Sequence, residues 1–340
     1  MIHVERSALD SLLTKGLNVP FNIVDSVDEV PDRKSEIVLR QKHDNYCHPC
    51  PGTKIYRCCN YHTTDVMEGC PFDCSYCILQ AYLPHKRIEV TADTDSVVRS
   101  IEEVVAAGTK RRLGTGELSD SLALDNIFPF TKIITPIINK QEHIQFEFKT
   151  KSANIANLLN LNPKNIVVSW SLNPQPISDI EESGTARIAD RLAAAKICAE
   201  AGYRLAFHFD PVIYTENYQK LYGDLLNELF NTVPESAVEY ISISTFRAPA
   251  PLMDKMRERD SVSKLLKGDM VLGLDSKFRY FKPLRFEILE FMTTQIYRHW
   301  ENIFVYYCME DRAIWKRLFG FDPGERTEFE SLFPHIKGEI

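Results

Sequence analysis

From about residue 56 onward, short β-rich runs alternate with helical segments. The runs are CNYHTTDVM, KRRLGTG, HIQFEFKT, NIVVSWSL, RLAFHFDPVI and VEYISISTF, separated by stretches such as SVVRSIEEVVAAG and TARIADRLAAAKICAEAG. Consecutive parallel strands need a long crossover, usually a helix, so six such alternations predict βαβ units on one parallel sheet. Right-handed crossovers either close the units partway into a barrel or wind them into an open sheet, and in both cases reactive groups gather at the C-terminal strand ends. Those ends are rich in chemistry here: Cys70; Gly114, Gly116 and Glu117; Lys151; Ser171 and Asn173; His208 and Asp210; Arg247. That convergence favours an α/β fold built as a partial (β/α)6 barrel over residues 56–255. An N-terminal extension (1–55) reads as irregular, and residues 256–340 read as a C-terminal cap region.

Composition narrows the class. The 340 residues are 44% hydrophobic with a formal net charge of −7, ordinary for a globular enzyme and without the overall basic charge of a polyanion binder. A local basic groove remains compatible with that balance. No apolar run approaches 18 residues and the N-terminus lacks a signal-peptide core, so a cytoplasmic protein with no membrane association is expected.

Of the nine cysteines, all but Cys198 and Cys308 lie between Cys47 and Cys77. Such clustering points to metal or catalysis rather than disulfides. The central motif is GCPFDCSYC, with Cys70, Cys74 and Cys77 separated by three and then two residues. Three soft thiolates suit three corners of a [4Fe–4S] cluster and leave one iron open. An open iron can chelate S-adenosylmethionine (SAM) and deliver the electron that cleaves it to a 5′-deoxyadenosyl radical. That electron comes from outside, so a one-electron reductant such as flavodoxin or ferredoxin is an expected partner. A zinc site is the competing reading; zinc prefers four ligands in paired spacings, which the 3+2 pattern fits poorly.

At these residues the sequence resembles the spore photoproduct lyase family of the radical SAM superfamily. The likeness runs from about Glu68 to about Arg285, through GCPFDCSYCILQ, TGELSDSLALD, FKTKS, SWSLN and AFHFDPVI, with weaker support from LDSKFRYFKPLR. The resemblance implies that Tyr76, Ser119, Lys151, Ser171 and Asn173 lie around SAM. Glu117, in GTGEL with Gly114 and Gly116, looks like the run that grips the SAM ammonium across the superfamily. Two positions depart from the spore-repair lyase. That enzyme has a hydrogen-donating cysteine where Glu117 aligns and a tyrosine where Ile78 follows the third cluster cysteine. The scaffold therefore reads as retained and the thymine-dimer relay as removed, so repair of the spore photoproduct is not expected.

Further candidates are weaker. Cys47, Cys50, Cys58 and Cys59 form C-x2-C-x7-C-C, a possible second metal site or a set of reduced thiols in a polar loop. If one strand ran from Cys58 to Met67, Cys58 would lie about 30 Å from the SAM cluster. Cys198 falls in step with Ile188, Leu192 and Ala195 and reads as core. Cys308 also reads as core, with a role as hydrogen donor to substrate as the sharper alternative. His208 and Asp210 share one face of the fifth strand, aimed at the SAM ribose or substrate if that face lines the barrel. Arg247, Lys277, Arg279, Tyr280 and Arg285 mix cations with aromatics, suited to a nucleic acid or nucleotide substrate. Asp254, Glu258, Asp260, Asp269 and Asp275 dilute that charge, so a solvated surface with a barrel-closing hairpin competes. Hydrogen abstraction from a nucleic-acid or nucleobase-containing molecule is the preferred activity. A peptide or small metabolite is the alternative substrate, and a non-catalytic Fe–S or zinc protein the alternative class.

Overall fold

The structure is a computed structural model that describes residues 1–42, 44–53, 55–259, 265–266 and 269–338, so Asp260 lies outside the described residues. Its main sheet contains the expected parallel strands: β1 (His62–Thr64), β2 (Arg111–Thr115), β3 (Ile144–Thr150), β4 (Ile166–Ser171), β5 (Arg204–Val212) and β6 (Val238–Thr245). A further parallel strand, β7 (Phe304–Tyr307), pairs with β6, and Cys47–Pro49 adds an antiparallel edge beside β1. Spatial order follows chain order from β1 to β7, as right-handed crossovers of one sense require.

The sheet curls. In a flat sheet β2 and β6 would lie about 19 Å apart at about 4.8 Å per strand. The Arg112 guanidinium of β2 nevertheless stands 5.4 Å from the Tyr240 ring of β6 and 6.0 Å from the Tyr306 ring of β7. The C-terminal segment closes this end, with the Phe333 ring 3.3 Å from the same guanidinium and Arg57 forked onto Asp322 at 2.7 Å through two nitrogens. The strands are buried on both faces, which is why they read as nearly continuous apolar runs.

Residues 1–55 are not irregular. Asn22–Val24, Ile2–Glu5, Ile37–Arg40 and Ile88–Thr91 form a parallel sheet in that order, and Met67–Glu68 adds an antiparallel edge. Val4, Leu39 and Val90 bury fully in it. This second sheet leads directly into the loop that carries Cys70.

Gly114 shows how tightly the barrel interior is filled. A Cβ there would lie 1.8 Å from the Tyr61 hydroxyl and 2.3 Å from the Glu147 carbonyl oxygen. The Glu147 carbonyl cannot retreat without disturbing the β2–β3 register, and the Tyr61 hydroxyl is buried, so Gly114→Ala is expected to destabilise by about 3 kcal/mol. Gly223→Ala is the control, because its Cβ meets nothing nearer than 3.9 Å in a helix. Thermal melts should show a large drop for the first and none for the second.

Candidate active site

The cysteine loop begins at Gly69, which is held at φ 96° with Arg87 O 2.9 Å and Ile88 Cα 3.2 Å from where a Cβ would sit. Its amide donates to Leu118 O at 2.9 Å, which ties the loop to the segment after β2. Asp73–Cys74 pairs antiparallel with Glu182–Ser183, and the Ser75 amide donates to Glu181 O at 2.8 Å. The Gln80 side-chain amide donates to the Cys74 and Ser75 carbonyls at 3.0 and 3.1 Å. Cys70, Cys74 and Cys77 thus project from a turn fastened on several sides.

The three thiols feel one another electrostatically, and burial pushes Cys70 up strongly and Cys74 to about 12. A metal is what would make them thiolates. They do not gather within 4.8 Å of one another, whereas a single zinc ion would draw them to about 3.8 Å. A donor set of three spaced thiols fits a polynuclear iron–sulfur cluster better than one ion.

Beside them lies a buried polar network. Glu182 is fully shielded and pairs with the equally shielded Arg191 at 2.8 Å. It also accepts from Asn173 at 2.9 Å, from Ser178 at 3.0 Å and from the Tyr76 hydroxyl. Burial opposes its ionisation, but Lys151 and Arg191 outweigh that and hold the carboxyl at about 2. The Lys151 ammonium sits 5.8 Å from the Tyr76 ring centroid, and its backbone amide donates to Asp120 at 2.6 Å. Asp120 also accepts from Thr150 at 2.6 Å, fixing the end of β3. The Ser171 carbonyl accepts from Arg191 at 2.8 Å. The structure therefore brings together Tyr76, Lys151, Ser171 and Asn173 next to the cysteines, with Ser119 on the Leu118–Asp120 segment that binds both. Gly116 is at φ 102° against Lys149 and Ser121. Glu181, Glu182 and Arg191 were missed from the sequence. Arg191 carried a signal, since it interrupts the apolar stripe of Ile188, Leu192, Ala195 and Cys198 on one helix.

Other candidates land elsewhere. His208 does not present a free ring: its Nε2 is 2.6 Å from Glu147, both nearly shielded, and Glu147 also accepts from Ser169 at 2.5 Å. Burial opposes the Glu147 anion and His208 sustains it. With Tyr61 against it, Gly114 belongs to this filled interior and not to an open cofactor cavity. Asp210 pairs with Arg247 at 3.4 Å. Beside them Cys308 is pushed well up by burial and feels Asp210, Arg247, Cys59 and Cys58. Cys198 is core as expected.

The basic-aromatic stretch turns inward. Lys277–Tyr280 pairs with Met270–Leu272 and Arg247–Pro249 as a small antiparallel sheet. Arg279 is 3% exposed, ion-paired with Asp275 and 4.0 Å from the Tyr56 ring centroid. Tyr280 is fully buried. Arg285 contacts Glu310 through two nitrogens at 3.2 Å. These three serve packing, and only the half-buried Lys277 and the Asp210-paired Arg247 keep any outward character.

Among the described residues, no three of Cys47, Cys50, Cys58 and Cys59 bring their sulfurs within 4.8 Å. Cys47 accepts from the Thr64 hydroxyl at 3.6 Å, while Cys50, Cys58 and Cys59 feel one another electrostatically. The long strand assumed from Cys58 to Met67 is absent: β1 begins only at His62 and Asn60 turns the chain at φ 58°. That removes the basis for a 30 Å separation from the SAM cluster. Glu117 lies with His48 and Asp65, their ligand atoms within 4.8 Å of one another, and is not part of the Lys151–Glu182 network. Asp65 is raised to about 6, by burial first and by Glu117 second.

The family model described as spore photoproduct lyase matches residues 58–262. A spore photoproduct lyase of Clostridium acetobutylicum is 25% identical over 257 residues, covering 72% of this chain and 75% of the relative. One from a Geobacillus species is 27% identical over 165 residues, covering 47% of this chain and 48% of the relative. The solved spore photoproduct lyase complexed with dinucleoside spore photoproduct superposes with a TM-score of 0.79 at 21% identity, covering 90% of this chain and 98% of that one. A similar structure, with bound AdoMet and the dinucleoside, gives 0.78. With the triad, the curled parallel sheet and a family match over more than half its length, the chain belongs to the spore photoproduct lyase family of radical SAM enzymes.

Proposed function

We propose that this enzyme cleaves SAM reductively and directs the radical to a nucleobase-containing substrate other than the spore photoproduct. The observation that carries the reading is the fastened Cys70–Cys74–Cys77 turn set against the Lys151, Tyr76 and Asn173 network. When bound, the cluster supplies the electron for SAM cleavage. The Lys151 ammonium, beyond ion-pair distance of Glu182, binds the methionine carboxylate, and Tyr76, Ser119, Ser171 and Asn173 line the rest of SAM. Glu182 and Arg191 keep that lining in place. Cys308, beside the Asp210–Arg247 pair, is the proposed hydrogen donor to the substrate. Flavodoxin or ferredoxin is the proposed reductant.

The dinucleoside in the solved relatives supports a nucleobase substrate. Glu117 and Ile78 support a substrate other than theirs, since neither side chain donates a hydrogen atom as a thiol or phenol does. The inward turn of Arg279, Tyr280 and Arg285 favours the second reading, a peptide or small metabolite, because it removes cations from any phosphate groove.

The test is isotope transfer. Reconstituted enzyme is incubated anaerobically with SAM, dithionite and deuterated oligonucleotides, ultraviolet-irradiated or not. Deuterium in the recovered 5′-deoxyadenosine is expected, with little thymine-dimer reversal. Unlabelled 5′-deoxyadenosine with every nucleic acid would move the substrate to the second reading, and efficient reversal would overturn the reading of Glu117 and Ile78.

A further inference from the structure

The edge strand Cys47–Pro49 pairs with β1, and β1 with β2, so His48, Asp65 and Glu117 arrive from three adjacent segments of the sheet. His48 Nε2 is 2.7 Å from Asp65 Oδ2, and one carboxylate oxygen of Glu117 completes a set within 4.8 Å. We propose that His48, Asp65 and Glu117 bind a divalent transition-metal ion of the zinc class, at a site distinct from the Cys70–Cys74–Cys77 turn.

Several independent features support a cation there. Glu117 Oε2 is shielded from solvent and has no hydrogen-bond partner, a costly state for a carboxylate oxygen unless a cation meets it. Among the described residues, neither Asp65 nor Glu117 has a Lys or Arg within ion-pair distance. The other such cluster among the described residues, Glu68, His85 and Glu89, differs in this respect. Lys42 meets Glu68, while Arg40 and Arg87 meet Glu89 at 2.9 and 3.0 Å. That group is already neutralised; the His48 group is not.

The imidazole is oriented for ligation. Its Nδ1 faces the Pro49 carbonyl at 3.2 Å and the Thr63 hydroxyl at 3.3 Å. An Nδ1–H donated to that carbonyl leaves the Nε2 lone pair facing the carboxylates, the arrangement in which a backbone carbonyl fixes a metal-binding tautomer. One imidazole and two carboxylates suit zinc, and three protein ligands leave a position open for water or substrate. The set lies just past the C-terminal ends of β1 and β2, where barrel enzymes collect their chemistry.

The experiment uses the full chain with Cys70, Cys74 and Cys77 replaced by Ala, so that the cluster ligands do not compete, titrated anaerobically with Co2+ and then displaced by Zn2+. One bound Co2+ is expected, with weak visible bands and no intense near-ultraviolet thiolate transition. His48→Ala and Glu117→Gln in that background should each weaken binding by more than about 100-fold, beyond the loss typical of an outer partner. Cys50→Ser, Cys58→Ser and Cys59→Ser together should leave it unchanged. Circular dichroism confirms that each variant is folded, and Glu117→Gln, nearly isosteric, carries the test if His48→Ala is not. Absence of binding, binding indifferent to Glu117→Gln, or a thiolate transition lost in the serine variant would each overturn the site.

Discussion

Glu182→Ala is expected to lower the thermal midpoint by roughly 6–20 °C. The carboxylate is fully shielded, and the side chains of Arg191, Asn173, Ser178 and Tyr76 all direct hydrogen bonds at it. Removing it leaves Arg191 as a buried cation without its counter-charge, which costs about 3–5 kcal/mol, and each kcal/mol shifts the midpoint of a larger domain by about 2–4 °C. The same carboxylate holds Tyr76 and Asn173, which are proposed to line SAM, so the variant should also impair SAM cleavage. A midpoint change under about 2 °C would mean the network contributes little. The pH dependence has a definite sign. The folded Glu182 carboxyl is held at about 2 against an ordinary 4.5, since Lys151 and Arg191 outweigh burial. Its stabilisation is therefore complete above about pH 4.5 and is lost as pH falls through about 2. The gap between the parent and Glu182→Ala should narrow across that window in acid titrations of stability.

Glu182 also shows where sequence reading stops. The strands of the barrel were legible because each is a run of apolar and β-branched residues bounded by a helix with its own period. The N-terminal strands were not. Ile2–Glu5 and Asn22–Val24 are only four and three residues long, and they pair in parallel across long separations, leaving no local alternation to read. β7 escaped because its aromatics, Tyr306 and Tyr307, look like a cap when the strand they pair with is out of view. For the site, the unequal cysteine spacing carries its chemistry in the sequence itself. Buried carboxylates carry none: EESG reads as a solvated turn, and only the fold shows Glu182 shielded beside Tyr76 and Asn173. The opposite error occurred at Arg279 and Arg285. Cations between aromatics suggest a phosphate groove, whereas here they are consumed by Asp275 and Glu310. Charge patterning along a chain does not reveal which partner each charge will find.

The cysteine triad carries the largest expected effect on activity. Cys70, Cys74 and Cys77 stand on a turn held by Glu181, Gln80 and the Leu118 carbonyl. Replacing all three with Ala removes the proposed cluster ligands and leaves those backbone contacts intact. The change acts on cluster assembly rather than on the barrel, so the variant should retain its circular dichroism spectrum. Its loss of SAM cleavage should be complete within detection. Iron and sulfide counts should fall with it, from about four of each per chain for one [4Fe–4S] cluster.

The decisive measurement is 5′-deoxyadenosine formed from SAM by anaerobically reconstituted protein with dithionite. The parent chain should form it and the Cys70→Ala/Cys74→Ala/Cys77→Ala chain should not; no 5′-deoxyadenosine from the parent with any reductant, or equal amounts from both, would contradict the assignment.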